Sequence, residues 1–353
     1  MPTIEILLAT YNGEQFLEEQ IDSLLEQTYQ NIMIVARDDG SQDSTREILQ
    51  LYAEKQPGKF TVLPASQPTG APQLNFLHLM QASSASFIMF SDQDDVWDVD
   101  KVAVSIKQMK NMISTHGNDK PLLVFSDLMV VDEDLSVISP SFWKDTHLRP
   151  NAVQDLSSLL RQNVVTGNTM LINRPLLNLA LSMTSDSIMH DWWIALAANS
   201  FGHASYLART TTKYRQHSSN AIGAGEKTAP HTLLPRFEDR AGWAKEWAHV
   251  YTMAAAFLRA YGTMLPLAKS SVFQDVIRCT ESRSSVERLF RMAKRQYFRY
   301  GLRANVAMLL HLWKNDFVKE AIMISRARSG PKARSYQESR HALGQAYETQ
   351  ELL

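Results

Sequence analysis

The stretch SFIMFSDQDDVWDVDK, Ser86 to Lys101, passes from an apolar run into a concentration of carboxylates. Asp92, Asp94 and Asp95 fall within four residues, and Asp98 and Asp100 follow closely. Like charges this near repel unless a positive group sits among them. Two carboxylates in a D-x-D, here Asp92-Gln93-Asp94, can share one hard divalent cation such as Mg²⁺ or Mn²⁺. Such an ion prefers oxygen ligands and keeps waters or phosphate oxygens as the rest of its shell. The same residues also suit an acidic helix start, a role that fits Asp98 and Asp100 at least as well.

Three further segments carry reactive residue types. ARDDGSQDST sets Asp38 and Asp39 in a turn, where a carboxylate can accept from a base N–H or a ribose hydroxyl. Asp-Gly-Ser is equally a turn signal by itself. SIMHDWW sets Asp191 ahead of Trp192 and Trp193. A carboxylate at the lip of an aromatic wall suits a general base that deprotonates a sugar hydroxyl; the same spacing suits a helix cap followed by two core tryptophans. KYRQHSSN offers Arg215 for bidentate pairing with phosphate and His217 as a metal ligand or diphosphate contact. A lone His is more often structural or on the surface. G-x-G-x-x-G and G-x-x-x-x-G-K-[ST] are both absent, which disfavours a Rossmann dehydrogenase or a P-loop enzyme.

These residues must be positioned by strands and helices that alternate through the first half of the chain. IEILLAT, NIMIVARD, KFTVLP, SFIMFSD, PLLVFSDLMVV and NTMLIN read as strands, the apolar runs being typical of buried parallel sheet. Leu17, Ile21, Leu24 and Leu25 mark one helical face, and Val102, Ile106, Met109 and Ile113 another. STRE, Ser44 to Glu47, has capping-box spacing, and HDWWIALAANSFG reads as a helix ended by Gly202. The order predicts a doubly wound, mostly parallel α/β sheet flanked by helices. Ligands bind beyond the carboxyl ends of such strands, where TYN, DDGS and DQDD all fall.

With 353 residues the chain suits one large domain and a smaller one. Hydrophobic content of 44% and a net charge of −1 are ordinary for a globular protein and select no partner. The single cysteine, Cys279, excludes an internal disulfide framework and fits a reducing compartment. The start, MPTIEILLATYNGEQ, lacks a basic region and a signal-length apolar run, and no window reaches the length of a membrane span. The expectation is a cytoplasmic protein, peripheral at most on the inner face of the cytoplasmic membrane.

Taken in order, ATYNGEQFLEEQIDSLLEQTYQN, DDGSQDST, SDQDDVW, NVVTGNTM, HDWW and YRQHSSN resemble the bacterial family 2 glycosyltransferases. Within that family the chain looks most like the rhamnosyltransferase branch of cell-surface polysaccharide synthesis. The resemblance spans about Thr3 to Gly223. It implies a GT-A fold, a divalent cation (Mg²⁺ or Mn²⁺) as cofactor, and inverting transfer from a nucleotide-sugar donor. Residue by residue, it implies that Thr10, Tyr11, Asn12, Asp38 and Asp39 hold the nucleoside, with Asp92 and Gln93 near the ribose or phosphates. Asp94 is then the main metal ligand, His217 completes the site, and Asp191 is the catalytic base. Asn163, Thr166, Gly167, Trp192 and Trp193 line the acceptor side. TGAPQLNF departs from the family's usual segment after the third strand, and Asn75 alone is carried over from it. The favoured donor is dTDP-L-rhamnose, with a UDP-hexose or UDP-N-acetylhexosamine as the alternative, and the acceptor a glycan or lipid-linked oligosaccharide. A catalytically idle sugar-binding scaffold and a nucleotidyltransferase are the competing classes.

The expected organisation is a catalytic domain over residues 1–234, an α-helical appendage over 235–328 and a polar tail over 329–353. Arg283 to Arg334 hold 13 Lys or Arg against 3 Asp or Glu, interleaved with aromatic and aliphatic residues. A basic amphipathic helix can dock on an anionic membrane. It can equally pack on the catalytic domain or on a second copy in a homodimer, with its charges solvated. Nucleic acid fits the charge but nothing else.

Overall fold

In the computed structural model, residues 1–64, 66–217, 240–294, 319 and 322–324 are described. They form two units, one of residues 1–181 with 189–233, the other of 182–188 with 234–353.

The first unit is built on a nine-stranded sheet. Its strands are β1 (Ile4–Thr10), β2 (Ile32–Asp38), β3 (Phe60–Val62), β4 (Phe87–Ser91), β5 (Val96–Trp97), β6 (Leu122–Val131), β7 (Val137–Ser139), β8 (Leu171–Asn173) and β9 (His203–Arg215). The spatial order is β3-β2-β1-β4-β8-β6-β9-β5, with β7 paired to β6. β3, β2, β1 and β4 are mutually parallel, and β6 is parallel to β9. β8 and β5 run antiparallel to their neighbours. The sheet is therefore a parallel half joined to a mixed half, consistent with the GT-A α/β class. The chain goes from β1 out to β3 and returns to β4 on the other side of β1, so β1 and β4 flank a topological switch point.

Helices α1 (Leu17–Leu25), α2 (Thr45–Lys55), α3 (Pro72–Ala82) and α4 (Lys101–His116) flank the sheet, α2 and α3 packing on the parallel half and α4 on β6, β8 and β9. The fully buried Ile4, Ile6, Leu8, Leu17, Ile21, Leu24, Ile34 and Met89 form its core, the apolar runs being inaccessible on both faces as parallel strands require. α5 (Phe142–Asp145), α6 (Leu156–Arg161), α7 (Arg174–Ala180) and α8 (His190–Phe201) follow. Two local expectations change. Ser44 precedes α2 but makes no side-chain cap; Asp43 accepts from the Thr45 N–H at 3.1 Å and its hydroxyl at 2.6 Å instead. β9, which sequence periodicity does not announce, is rich in Thr, Arg and Lys and only partly buried.

The second unit carries α9 (Arg240–Tyr261), α10 (Leu267–Glu281) and α11 (Ser285–Lys294). Phe257 stacks on Phe273 with ring centroids 4.7 Å apart, and Trp247 Nε1 donates to Thr280 Oγ1 at 3.0 Å. No helix among the described residues is long and apolar enough to cross a membrane. The predicted polar tail, 329–353, and most of the basic stretch after Lys294 lie outside the described residues.

Gly202 ends α8 because space allows nothing larger. A Cβ there would lie 1.9 Å from the Pro121 carbonyl oxygen, which accepts the His203 N–H at 2.9 Å. Gly202→Ala must displace backbone at the α8–β9 junction. It is expected to lose about 1–3 kcal/mol, the usual range for overpacking, measured as a lower urea midpoint at unchanged slope.

Candidate active site

The carboxyl ends of β1, β2 and β4 lie side by side. Thr10 pairs with Asp38 across the first two strands and Leu8 with Ser91 across β1 and β4. Residues just beyond these ends, 11–12, 39 and 92–94, therefore share one edge.

Tyr11 and Asn12 are held by their backbone. Gln93 accepts the Tyr11 N–H at 2.7 Å and donates Nε2 to the Tyr11 carbonyl at 3.0 Å. Both ends of its amide are used, so Gln93 clips the first loop to the D-x-D rather than presenting itself to a ligand. The clip needs Gly13, where a Cβ would come within 2.3 Å of Gln93 Oε1. Asn12, at φ 47°, donates its N–H to Ser41 Oγ and accepts from the Gln42 N–H. The Tyr11 ring remains 57% exposed at the edge.

Asp38 and Asp39 organise turns. Asp38 accepts from the N–H groups of Gly40 and Ser41, the Ser41 and Thr10 hydroxyls, and Arg46 Nε at 2.8 Å. Asp39 accepts four bonds, from Arg37, the Thr69 N–H, the Thr69 hydroxyl and the Gly70 N–H. Those fill the acceptor positions of a carboxylate, so the expected contact of Asp39 with a base or ribose has no open acceptor in this arrangement. Burial raises both acids, but these donors outweigh it and hold both pKa values below the ordinary one. Asn75 is likewise turned inward, accepting from Arg37 at 2.8 Å and donating to the Thr10 and Arg37 carbonyls.

The acidic cluster is arranged by depth. Asp94 is near the surface, and its Oδ2 lies 2.9 Å from His217 Nε2. Asp92 is partly buried; burial first, then Asp94 and Asp191, push it up to about 7. Asp95 is fully buried and accepts from Asn168 Nδ2 and the Arg215 N–H. Burial, Asp94 and Asp92 raise it well above the usual range. Beneath the cluster lies Lys101, also fully buried. Its ammonium donates to the Asn168 carbonyl and to Thr212 Oγ1 at 2.6 Å, and sits 3.6 Å over the Trp97 ring. Burial lowers its pKa, and Asp95, Asp98 and Asp92 oppose that. Asp98 and Asp100 face Arg209 instead, Asp100 bidentately at 2.8 and 3.0 Å.

Asp191 stands at the start of α8, accepting the Gly167 N–H at 3.2 Å and its neighbour Trp192's N–H at 2.5 Å. Burial raises it to about 7 despite those donors. Gly167, which donates to Asp191, is followed by Asn168, whose side-chain amide donates to Asp95, so the two acids are joined through adjacent residues. His190 is buried between Phe76 and Phe90, held neutral by burial with a pKa of about 3. Gly167 fits because a Cβ would meet His190 Nε2 at 2.7 Å.

Several of the residues expected to touch ligand are bonded within the protein. Arg215 is 2% exposed. Its guanidinium donates to the Asp94 carbonyl at 2.9 Å, to the Glu133 carbonyl and to Glu19 at 2.5 Å, and lies over Phe16. It braces the cluster from below and presents no fork to a phosphate. Trp193 is fully buried, and the nearly buried Trp192 donates Nε1 to the Leu159 carbonyl at 2.8 Å, so both pack in the core in this arrangement. Asn163 spends its amide on the Val165 backbone. Thr166 and Gly167 do stay beside Asp191, Thr166 accepting the Thr169 N–H at 3.0 Å. Lys101 and Asn168, which sequence reasoning missed, are central here, and a lysine at a helix start carries no sequence signal that it is buried.

Among the described residues no three or more His, Cys, Asp or Glu groups form a ready-made metal cage. Asp94 and His217 offer two adjacent donors, and Asp92 is an acid whose ionisation its neighbours oppose. That set fits a hard cation completing its shell with waters or phosphate oxygens.

Residues 5–113 match the family model described as Glycosyl transferase family 2. The chain is 28% identical over 227 residues to the dTDP-rhamnosyl transferase RfbG of Shigella flexneri, covering 62% of this chain and 74% of that one. It is 32% identical over 117 residues to the UDP-Glc:alpha-D-GlcNAc-diphosphoundecaprenol beta-1,3-glucosyltransferase WfgD of Escherichia coli, covering 33% of this chain and 45% of that one. The crystal structure of S. aureus TarS 1-349 in complex with UDP-GlcNAc is similar with a TM-score of 0.54. That likeness covers 96% of this chain and 92% of that one at 14% identity, and it bears on the fold alone.

The depressed pKa of Asp39 carries a testable sign. Its contribution is present above the unfolded carboxylate value of about 4 and is lost as pH falls through the lower native one. Asp39→Asn breaks a buried pair with Arg37 and is expected to cost on the order of 3 kcal/mol at pH 7. Urea unfolding at pH 7 and pH 3 should find the difference from wild type clearly smaller in acid.

Proposed function

We propose that this chain, a bacterial family 2 glycosyltransferase of GT-A fold related to the rhamnosyltransferases, moves a sugar from a nucleotide donor to an acceptor hydroxyl with inversion. The observation that carries this reading is the link of Asp191 to the acidic strand end: Gly167 donates its N–H to Asp191 at 3.2 Å, and the next residue, Asn168, donates its amide to Asp95. The strand end faces the place for a diphosphate, and Asp191 is set to take a proton.

On this reading the nucleoside lies along Thr10, Tyr11 and Asn12, with the exposed Tyr11 ring stacked on the base. The turn from Asp38 to Ser41 holds that loop in place, and Asp39 with Arg37 and Asn75 supports it from within. Asp191 takes the proton from the acceptor hydroxyl as its oxygen attacks C1, while the C1–O bond to the diphosphate breaks. A single displacement of this kind inverts the anomeric centre. Asp94 and His217, with Asp92 alongside, would hold a divalent cation, which would supply neutralisation of the charge that develops on the leaving diphosphate. A base with pKa near the working pH combines sufficient ionisation with sufficient basicity.

The donor we favour is dTDP-L-rhamnose, supported by the 28% identity to a dTDP-rhamnosyl transferase over most of that protein's length. A UDP-hexose is the second reading, favoured by the shorter match to a UDP-glucose enzyme. The acceptor is a growing glycan on a lipid carrier, and the exposed Val286 and Phe290 of α11 are consistent with an enzyme that works beside a membrane. Thermal-shift screening of nucleotide sugars with Mg²⁺ or Mn²⁺ should single out the donor, because a ligand stabilises by RT ln(1 + [L]/Kd). If no nucleotide sugar both shifts the melting temperature and yields a nucleoside diphosphate with acceptor, the reading fails.

Two outcomes test the base. Asp191→Asn is expected to lower kcat by about 10²–10⁴-fold with donor affinity unchanged; a variant as fast as wild type removes Asp191 from the chemistry. The active form is the carboxylate, and its pKa is raised to about 7. kcat/KM should therefore rise with pH and level off above about 7 rather than above about 4. Asp92 titrates in the same range and interacts with Asp191, so the observed limb belongs to the pair.

A further inference from the structure

The D-x-D and Asp191 come from distant parts of the chain, yet transfer requires them at a set separation. Residues 167 and 168 join them. Gly167 donates its N–H to Asp191 at 3.2 Å, and the next residue, Asn168, donates its side-chain amide to Asp95. Asp95 follows Asp94 directly. The Asn168 carbonyl is gripped in turn by the Lys101 ammonium, which is also fixed by Thr212 on β9 and by the face of Trp97.

We propose that Lys101 and Asn168 are positioning residues: with Asp95 they form a buried strut that sets the Asp191 carboxylate relative to the Asp92–Asp94 strand end. The proposal rests on the transferase reading above. Three physical facts support it. Asn168 is 1% exposed, and Lys101 and Asp95 are fully buried, so water offers them no alternative partners. Lys101 opens α4, where the helix dipole disfavours a cation; its value there comes from tertiary contacts. A buried ammonium is tolerated only with acceptors and opposite charge around it, and Asn168, Thr212 and the carboxylates of Asp95, Asp98 and Asp92 provide them. Neither residue reaches the reacting atoms; both act through the groups they hold.

Asn168→Ala cuts the link to Asp95 while keeping the Lys101 grip on the backbone carbonyl. Its kcat is expected to fall about tenfold or more, since displacement of about 1 Å at a reacting group can be that damaging. Donor KM and nucleoside-diphosphate affinity should stay within about twofold. Amide exchange at residues 167–169 should accelerate while that of β1 and β2 does not. The exchanged pair Asp95→Asn with Asn168→Asp swaps donor and acceptor, keeps the carboxylate count beside Lys101, and should return kcat to within about threefold of wild type. A folded Asn168→Ala with wild-type kcat and exchange overturns the strut. So does an exchanged pair that melts like wild type yet remains as slow as Asn168→Ala. If the wild-type chain transfers no sugar from any donor, the transferase reading fails separately. Exchange at Gly167 then decides the strut alone, and unchanged protection in Asn168→Ala refutes it.

Discussion

Three carboxylates at the end of one buried strand form the constraint around which the rest of the site is built. Asp92, Asp94 and Asp95 leave β4 together; Asp94 raises the cost of ionising Asp92, and both raise that of Asp95. The protein answers with charge and donors of its own before any ligand arrives. Lys101 sits beneath the cluster, Arg215 braces its backbone, and Asn168 and the Arg215 N–H bond to Asp95. The last two bond to the deep member of the cluster, Asp95, while the shallower Asp92 stays raised by burial and its neighbours and Asp94 faces His217. The cluster is thus divided by depth, the deep acid held by the protein's own donors and the shallower ones left, on the proposed reading, for binding.

The parallel half of the fold was legible because its signal is local. IEILLAT, NIMIVARD and SFIMFSD are apolar runs that only a doubly covered sheet accommodates, and each ends in the polar residues that mark a ligand-binding edge. The mixed half was less legible. β9 exposes His203, Tyr206, Ala208 and Arg209 without regular alternation, and its pairing with β6 is interrupted by register shifts. Its identity as a strand comes from neighbours more than 70 residues away, which periodicity in one segment does not encode. STRE illustrates the reverse error. The capping-box spacing was present, but Asp43 captured the Thr45 donors first.

Which residues gather at the site was more legible than what each side chain does there. Thr10, Tyr11, Asp38, Asp92, Asp94, Asp191 and His217 carry reactive types at strand ends or helix starts, and such positions can be inferred. Asp39, Asn75, Gln93 and Arg215 carry the same chemical capacities but spend them on the protein. A hydrogen-bonding side chain near a site faces two claimants, ligand and backbone, and sequence is silent on which is nearer. Lys101 was missed for the same reason, since a lysine at a helix start looks like a solvated residue until its burial is known.

The two tryptophans after Asp191 show how a residue can matter to the proposed chemistry without touching substrate. Trp193 is fully buried and Trp192 nearly so, its indole N–H donating to the Leu159 carbonyl. With His190 held between Phe76 and Phe90, they surround the start of α8 with matter of low polarity. The helix dipole and the N–H groups of Gly167 and Trp192 would by themselves depress the Asp191 pKa. Burial overrides them and lifts it to about 7. A carboxylate so poised is a far better proton acceptor than a solvated one, yet still largely ionised in mildly alkaline solution. The aromatic residues beside the acid act on the proposed base through the medium they create, and stacking against a sugar is not needed to explain their place.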